Sequence, residues 1–562
     1  MSAEPTESID TTTGSELSAH AGTLALAAAQ AHGVDAMFTL SGAHIFPLYD
    51  AAATTTPGLR MVDVRHEQSA VFAAEAAAKL TRRPGLAAVT AGPGVTNAIS
   101  AVTQAQASGV PLLVMGGRAP TGRWGTGALQ ELDHPPLLAP VTKLAATAGT
   151  AAQVYGAVDQ ALRVATLPHR GPTFVDVPMD QLFSHASATP TPPTAPVPLG
   201  PDADAVSAVA TLLARSERPV LILGSDVWMD RAEDAARRFV EAAAIPVIPN
   251  GMGRGIVPRG HRLLVAKARS VALKESDLVI VAGAPLDFRL GYGVFGDPEH
   301  PAPVVHLADS PSQVASHVPL AASVSGSLPM VFDALLAECE SQPAKRRRET
   351  WTERLSSAVS EATARDQELL TAQAAGGIHP ARVYGALLPL LSEDTIVIAD
   401  GGDFVSWSGK FVEPARPGGW LDPGPYGCLG AGLGAAVGAA VVRPESPRVL
   451  LLGDGAAGFS LAELETLVRH DLPTLVVVGN NGAWGLEKHP MRMLYGYDVL
   501  ADLRRDTRYD VVAQAMGGDG ETVADPSDLP DALARGMASG TTYVVNVLLD
   551  PEVAYPRRTT GV

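Results

Sequence analysis

The residues best suited to chemistry stand at the ends of short apolar runs. Gly453-Asp454-Gly455 directly follows RVLLL, and Asn480-Asn481-Gly482 directly follows the run TLVVVG. Asp and Asn side chains offer hard oxygen ligands, and two such strand ends meet when their strands share a sheet. The Asp454 carboxylate, the Asn481 amide oxygen and a following backbone carbonyl would then hold a Mg²⁺ that bridges a diphosphate. Gly455 permits close backbone approach, and a helix predicted from near Ser460 turns its N-terminal N–H groups toward the anion. Taken singly, each triplet is a tight turn after a strand; the pair points to a metal-diphosphate site. A second constellation lies upstream. Arg65-His66-Glu67-Gln68 follows MVDV, and TAGPGVTN, Thr90 to Asn97, follows the next apolar run. Glu67 borders the apolar helix SAVFAAEAAAKL, where desolvation raises a carboxyl pKa and suits it to proton transfer. The plainer alternative is a helix N-terminal Glu favoured by the macrodipole.

These groups must be positioned by the elements between them. In residues 15–185 the strand candidates are AMFTL, MVDV, LAAVTA, PLLVMGG and PTFVDVP; in residues 202–340 they are PVLILGS, IPVIPN, LVIVAGAP and PVVHLAD. Residues 376–550 offer TIVIADGG, RVLLLGDG, TLVVVGNN and YVVNVLL. Ala-rich helical stretches separate them. The pattern predicts an α/β chain of three doubly wound parallel-sheet domains, with ligands at the carboxyl ends of the strands. The Pro-rich stretch 186–201 reads as an extended linker unable to sustain helix or sheet ladders. Residues 341–375 read as a linker with a solvated basic run and then a helix. Residues 1–14 read as a disordered tail.

Composition sets outer limits. The 562 residues suit three or four domains. With 59 acidic and 42 basic residues the formal charge is -17, which disfavours a nucleic-acid backbone or an anionic membrane as partner. Cys339 and Cys428 supply neither a disulfide framework nor paired zinc spacing. The polar, acidic start lacks the pattern of a secretory signal, and the most lipid-like run, residues 429–442, is shorter than the roughly 20 residues that span a bilayer. These features predict a cytoplasmic enzyme.

Taken in order, SGAHIFPLYD, RHEQSAVFAAE, TAGPGVTN, ALQELDH, ARSVALKESDLVIVAG, LDPGPYGCLGAGLG, GDGAAGFSLAELETL and NNGAWG resemble the thiamine diphosphate enzymes of the acetolactate synthase, oxalyl-CoA decarboxylase and 2-hydroxyacyl-CoA lyase group. The resemblance implies a pyrimidine-binding first domain, a central domain that often carries a nucleotide, and a diphosphate-binding third domain. It also implies an active site between the first domain of one subunit and the third of another, hence at least a homodimer and usually a homotetramer. Thiamine diphosphate and Mg²⁺ are the implied cofactors. Glu67 matches the glutamate that hydrogen-bonds the aminopyrimidine N1′ and promotes deprotonation of the thiazolium C2. Leu429 takes the place of the usual Met that wedges the cofactor into its bent shape, and Gly427 offers its carbonyl to the 4′-amino group. Asp454, Asn481 and the carbonyl of Ala483 match the metal ligands. Pro93, Asn97, Gly453, Gly455, Ala456 and Trp484 complete the implied cofactor contacts.

The reaction is read from three features. LDPGPYG, Leu421 to Gly427, is similar to the entry of the acyl-CoA-using branch. Glu487 stands where acetolactate synthases place an apolar residue; a carboxylate there repels the carboxylate of pyruvate by on the order of a few kcal/mol in a partly dry site. It would instead take the hydroxyl proton of a 2-hydroxyacyl thioester as the C1–C2 bond breaks. The alternative for Glu487 is an ion pair with Lys488 or Arg492. The tail, residues 551–562, would fold over the site as in acyl-CoA members, with Tyr555 walling the acyl pocket and Arg557 and Arg558 reaching CoA phosphates. Ala43, His44, Ile45, Gln130 and Trp484 are the candidate substrate pocket. In the central domain, Asp309 is the candidate for a ribose hydroxyl and Arg269-Ser270 for a phosphate, with ADP the first nucleotide and FAD the second. These features predict a lyase that cleaves a short or branched 2-hydroxyacyl-CoA, 2-hydroxyisobutyryl-CoA first, to formyl-CoA and a ketone or aldehyde. Acetolactate synthase is the alternative, and oxalyl-CoA decarboxylase the third. The joint presence of Glu67, Asp454 and Asn481 argues against a paralogue that has lost its chemistry.

Overall fold

Runs such as LLVMGG, LVIVA and LVVVGN are apolar on both faces, which suits strands covered by helices on either side of a parallel sheet. The computed structural model describes residues 16–55, 58–194, 196–340 and 348–556, and in them these runs form three parallel sheets. The expectations for residues 1–14, Arg557 and Arg558 lie outside the described residues.

The first sheet runs, edge to edge, Arg60–Asp63, Ala36–Thr39, Gly85–Val89, Leu112–Arg118, Pro172–Pro178 and Leu144–Thr147. The third runs Trp420–Leu421, Ile396–Asp400, Arg448–Gly453, Leu475–Asn480, Tyr543–Leu548 and Asp519–Val523. Numbered within each domain, both have the same strand order, 2-1-3-4-6-5. The central sheet has five strands, Val247–Pro249, Pro219–Leu223, Leu278–Ala282, Val304–Ala308 and Ala322–Ser325. In all three, the order reverses between the domain's first and third strands, and the crevice at such a switch point is where doubly wound sheets bind ligands.

Two linker expectations are corrected. His185–Ala188, at the start of the stretch read as unable to form a ladder, pairs antiparallel with Leu17–His20; the prolines begin only at Pro190, so these residues keep their N–H donors. Arg348, the last of the basic run read as solvated, is buried and donates to the carbonyls of Leu213 and Ala243 at two helix C-termini, where the helix dipole favours a cation. The helix Glu349–Leu370 that follows packs Trp351, Leu355 and Ala358 onto the central domain.

The first and third domains meet through two helices, Glu67–Thr81 and Ala431–Val442. The latter includes most of the lipid-like run of residues 429–442; among the described residues no helix is long and apolar enough to cross a membrane. Its glycines make the contact close: a Cβ on Gly438 would stand 2.1 Å from the Ala73 carbonyl oxygen, and one on Gly434 2.9 Å from the Phe72 Cβ. Gly438→Ala is therefore expected to cost about 1–3 kcal/mol of stability, read as a lowered denaturant midpoint. An unchanged midpoint would show that the helices separate freely.

Candidate active site

The strands Arg448–Gly453 and Leu475–Asn480 are parallel neighbours with Gly453 opposite Gly479, so the GDG and NNG triplets leave the sheet side by side. The Asp454 carboxylate, 3% exposed, accepts from the Gly482 N–H at 2.8 Å and the Gly455 N–H at 3.1 Å. Asn481 Oδ1 accepts from the Ala483 N–H at 3.1 Å. No cation faces Asp454 among the described residues, and burial pushes its carboxyl up to about 7 against the pull of the backbone N–H groups. Such a buried acid, with an amide oxygen and the Ala483 backbone beside it, is a donor set that fits a divalent cation. The helix predicted from near Ser460 instead begins at Asp454 itself, because Gly453 ends the strand in an extended conformation that serves as N-cap.

These residues line a cavity of about 600 Å³ open to solvent, together with Gly401–Asp403 from the neighbouring strand end, Leu429, Leu486 and Glu487. The Asp400 end and the Gly453 end are those of the first and third strands, so the cavity sits at the switch point. Gly455 must lack a side chain, since a Cβ there would meet the Trp484 ring at 2.5 Å. Asp400, wholly buried, accepts from the Gly430 and Gly432 N–H groups and so caps Ala431–Val442, fixing the turn that presents Leu429; burial pushes its carboxyl up to about 6. Sequence reasoning passed over Asp400, although its place at a strand end before Gly-Gly was visible. Gly427 adopts φ +72° in this turn and stands outside the cavity lining.

Glu487 is exposed in the first turn of helix Gly485–Tyr495. Its two expected partners are otherwise engaged: Lys488 pairs with Asp502, and Arg492 with Asp498 and Glu552. Among the described residues no cation pairs with Glu487. The described part of the tail lies against the third domain, but Tyr555 does not wall the cavity. Its ring packs edge-on against Trp407 at 5.0 Å and its N–H donates to the Asp403 carboxylate, leaving Val553 to line the cavity. An aromatic ring finds more apolar contact against Trp407 than at an open mouth.

The first domain carries a second face at the corresponding switch point. Glu67, 8% exposed, opens helix Glu67–Thr81 and accepts from Asn97 Nδ2 at 3.0 Å. Thr90 contacts His44 Nδ1 at 3.1 Å and Gln130 Oε1 at 3.5 Å, and Gly94, one residue past Pro93, packs its backbone between Thr90 and Glu67. Burial lowers the pKa of His44. Ile45 is not part of this face: it lies in the apolar core beneath, 1% exposed. Ala43 is exposed. The turn into Pro93 is held by a group that sequence reasoning missed. His134, fully buried, accepts the Gly92 N–H at Nε2, which leaves its proton on Nδ1 to donate to Asp176 at 2.8 Å, and Arg118 pairs with the same carboxylate. No first-domain residue lines the third-domain cavity.

In the central domain the residues expected to meet a nucleotide stand apart from the cavity found there. A cavity of about 950 Å³ opens where all three domains meet, lined by Ser225, Gly283–Pro285, Arg289 and Gln313 of the central domain, with His169 and Asp422 from its neighbours. Arg269, Ser270 and Asp309 do not line it. Arg269 donates to the Arg289 carbonyl, Ser270 is exposed, and Asp309 is buried against His169 at 3.0 Å and Arg170 at 3.5 Å. Asp309 thus serves a charge-paired contact with the first domain.

Three family models match the chain in order: the N-terminal TPP binding domain of thiamine pyrophosphate enzymes over residues 19–137, their central domain over 206–335, and their C-terminal TPP binding domain over 400–547. A protein of Mycobacterium bovis named "Probable acetolactate synthase" is 48% identical over 96% of this chain and 97% of its own length. The chain belongs to the thiamine pyrophosphate enzymes. Other members of the family that resemble it are named 2-hydroxyacyl-CoA lyase 2: that of Caenorhabditis elegans is 34% identical over 94% of this chain and 89% of its own, and that of Homo sapiens 32% over 94% and 90%. The chain is accordingly a thiamine diphosphate-dependent enzyme similar to acetolactate synthases, with three domains in the family's order.

Proposed function

We propose that this thiamine diphosphate enzyme cleaves the C1–C2 bond of short or branched 2-hydroxyacyl-CoA thioesters, releasing formyl-CoA and a ketone or aldehyde. The observation that carries the reading is Glu487, a carboxylate on the wall of the cofactor cavity with no cation to neutralise it among the described residues. A second carboxylate entering that space, as pyruvate requires, meets repulsion of about 4 kcal/mol at 4 Å and an effective dielectric constant of about 20. A 2-hydroxyl group meets a base. Asp454, Asn481 and the Ala483 carbonyl would hold Mg²⁺, and Leu429 would support the bent cofactor. Thiamine diphosphate, when bound, would supply a nucleophilic carbon and an electron sink for the breaking bond. Glu67, held by Asn97, would move the proton at the aminopyrimidine N1′, and Glu487 would receive the proton of the substrate hydroxyl and return one to the one-carbon fragment that leaves as formyl-CoA. The Glu67 face and the metal cavity are separate within one chain, which supports a site completed by a second copy, a homodimer at least. The three-domain cavity is the place for ADP, or for FAD as the second choice.

The similarity of 48% to a named acetolactate synthase favours a second reading, condensation of pyruvate with decarboxylation. One assay separates the two. Enzyme supplied with thiamine diphosphate and Mg²⁺ is expected to release formyl-CoA from 2-hydroxyisobutyryl-CoA and to leave pyruvate unchanged. Acetolactate from pyruvate with the thioester left intact would reverse the assignment.

A further inference from the structure

The loop that launches Glu67 is gripped from outside its own domain. Residues 63–66 connect the strand Arg60–Asp63 to the helix that Glu67 opens. The third-domain helix Glu463–Arg469 holds this loop at both ends. At one end Asp63 pairs with Arg469 and with His470, the latter at 3.0 Å. At the other, both oxygens of Glu463 accept the Arg65 N–H at 3.1 Å. The His66 N–H and the Ser69 hydroxyl also point to that carboxylate, which Thr466 Oγ1 meets at 2.7 Å. Glu463 is 1% exposed. It therefore anchors, from another domain, the turn that leads into the helix carrying Glu67, whose own N-cap is His66 accepting the Gln68 N–H at 3.2 Å, and its charge stands near the positive end of that helix. Asn97 restrains the Glu67 carboxylate, and Glu463 restrains its backbone.

We infer that Glu463 is a positioning residue for Glu67, fixing the angle at which the Glu67 carboxylate meets the aminopyrimidine. The inference rests on the thiamine reading of Glu67 above. It adds a physical link between sites. The segment of the third domain that begins with Asp454 at one metal site continues into the helix that aims Glu67 at a cofactor held by another copy. Glutamine at 463 keeps the shape and one acceptor oxygen, but turns an N–H₂ donor toward a group of donors and removes the charge.

The test uses the full-length holoenzyme of Glu463→Gln, with Glu463→Ala as the more severe variant and Glu67→Gln as control. Three quantities are read: amide deuterium exchange of residues 65–69, Kd for thiamine diphosphate with Mg²⁺ from tryptophan fluorescence, and deuterium exchange at C2 of the bound cofactor. In Glu463→Gln, exchange at C2 is expected to fall about 10- to 100-fold, the range that a displacement of about 1 Å produces. Amide exchange at 65–69 should rise about tenfold as the loop opens locally. The cofactor Kd should stay within about twofold, because Glu463 lies outside the diphosphate cavity. Glu463→Ala should be worse in the first two. Unchanged C2 exchange in folded Glu463→Gln overturns the proposal, as does a parallel loss of cofactor affinity, which would mark a general structural role. If Glu67→Gln itself leaves C2 exchange intact, the thiamine reading fails and the positioning role with it.

Discussion

Replacing Asp454 by Asn weakens Mg²⁺-dependent binding of thiamine diphosphate by at least about 100-fold, since loss of a direct ligand exceeds the 10- to 100-fold typical of supporting groups. The reason lies in the charge balance of the cavity. Asp454 is buried with only backbone N–H partners, and its carboxyl rises to about 7. Without a cation the protonated form is favoured in the fold, so the acid opposes stability as pH climbs from its unfolded value toward 7. A divalent ion reverses this by binding the ionised form, and competes with the proton for it. Apparent Mg²⁺ affinity of the unaltered protein should therefore fall by up to about tenfold per unit as pH drops below about 7. The amide introduced by Asp454→Asn has no such proton to lose, so the variant should bind weakly at every pH. Titration of cofactor binding between about pH 5.5 and 8 checks both expectations. A variant with undiminished affinity would remove Asp454 from the metal site.

The second large effect belongs to Glu487. Glu487→Gln should lower turnover of a 2-hydroxyacyl-CoA by about 10²- to 10⁴-fold, the usual contribution of a positioned base. Cofactor affinity should not change, because Glu487 contributes no metal or diphosphate ligand. The same substitution removes the charge that opposes a substrate carboxylate, so any residual turnover of pyruvate should rise. Opposite movements of the two activities mark an electrostatic selector. If thioester cleavage is unaffected, Glu487 is a surface charge and the acetolactate synthase reading gains.

The architecture was legible in the chain because buried parallel strands leave unbroken apolar runs and the ligand triplets sit at their ends. Pairing of Asp454 with Asn481 followed from that alone and is met by neighbouring strands. Within the three parallel sheets, the strands that escaped notice are Leu144–Thr147, Ala322–Ser325, Trp420–Leu421 and Asp519–Val523, all at sheet edges, where runs are short or partly polar. Asp309 is ambiguous for another reason. An Asp after a strand looks the same whether it faces a ligand or a distant residue, and its partners His169 and Arg170 come from another domain. Glu463 was hidden similarly: within its motif it is a helix N-terminal acid, and only the packed domains reveal that it anchors the turn into a second helix. Tyr555 stands away from the cavity, where Val553 takes a place on the wall, because a tail's docking depends on which ring it finds, here Trp407.

The cavity at the meeting of the three domains also bears on how the molecule comes apart. Its lining is drawn from each domain, so any ligand seated there binds only when all three are assembled. At a concentration 100 times its dissociation constant such a ligand adds about 2.7 kcal/mol to assembly and nothing to a domain standing alone. Heating should then separate the central domain more readily from the ligand-free protein than from the filled one. Occupancy of that cavity would tie the central domain to the unit that the first and third domains already form through their shared helices.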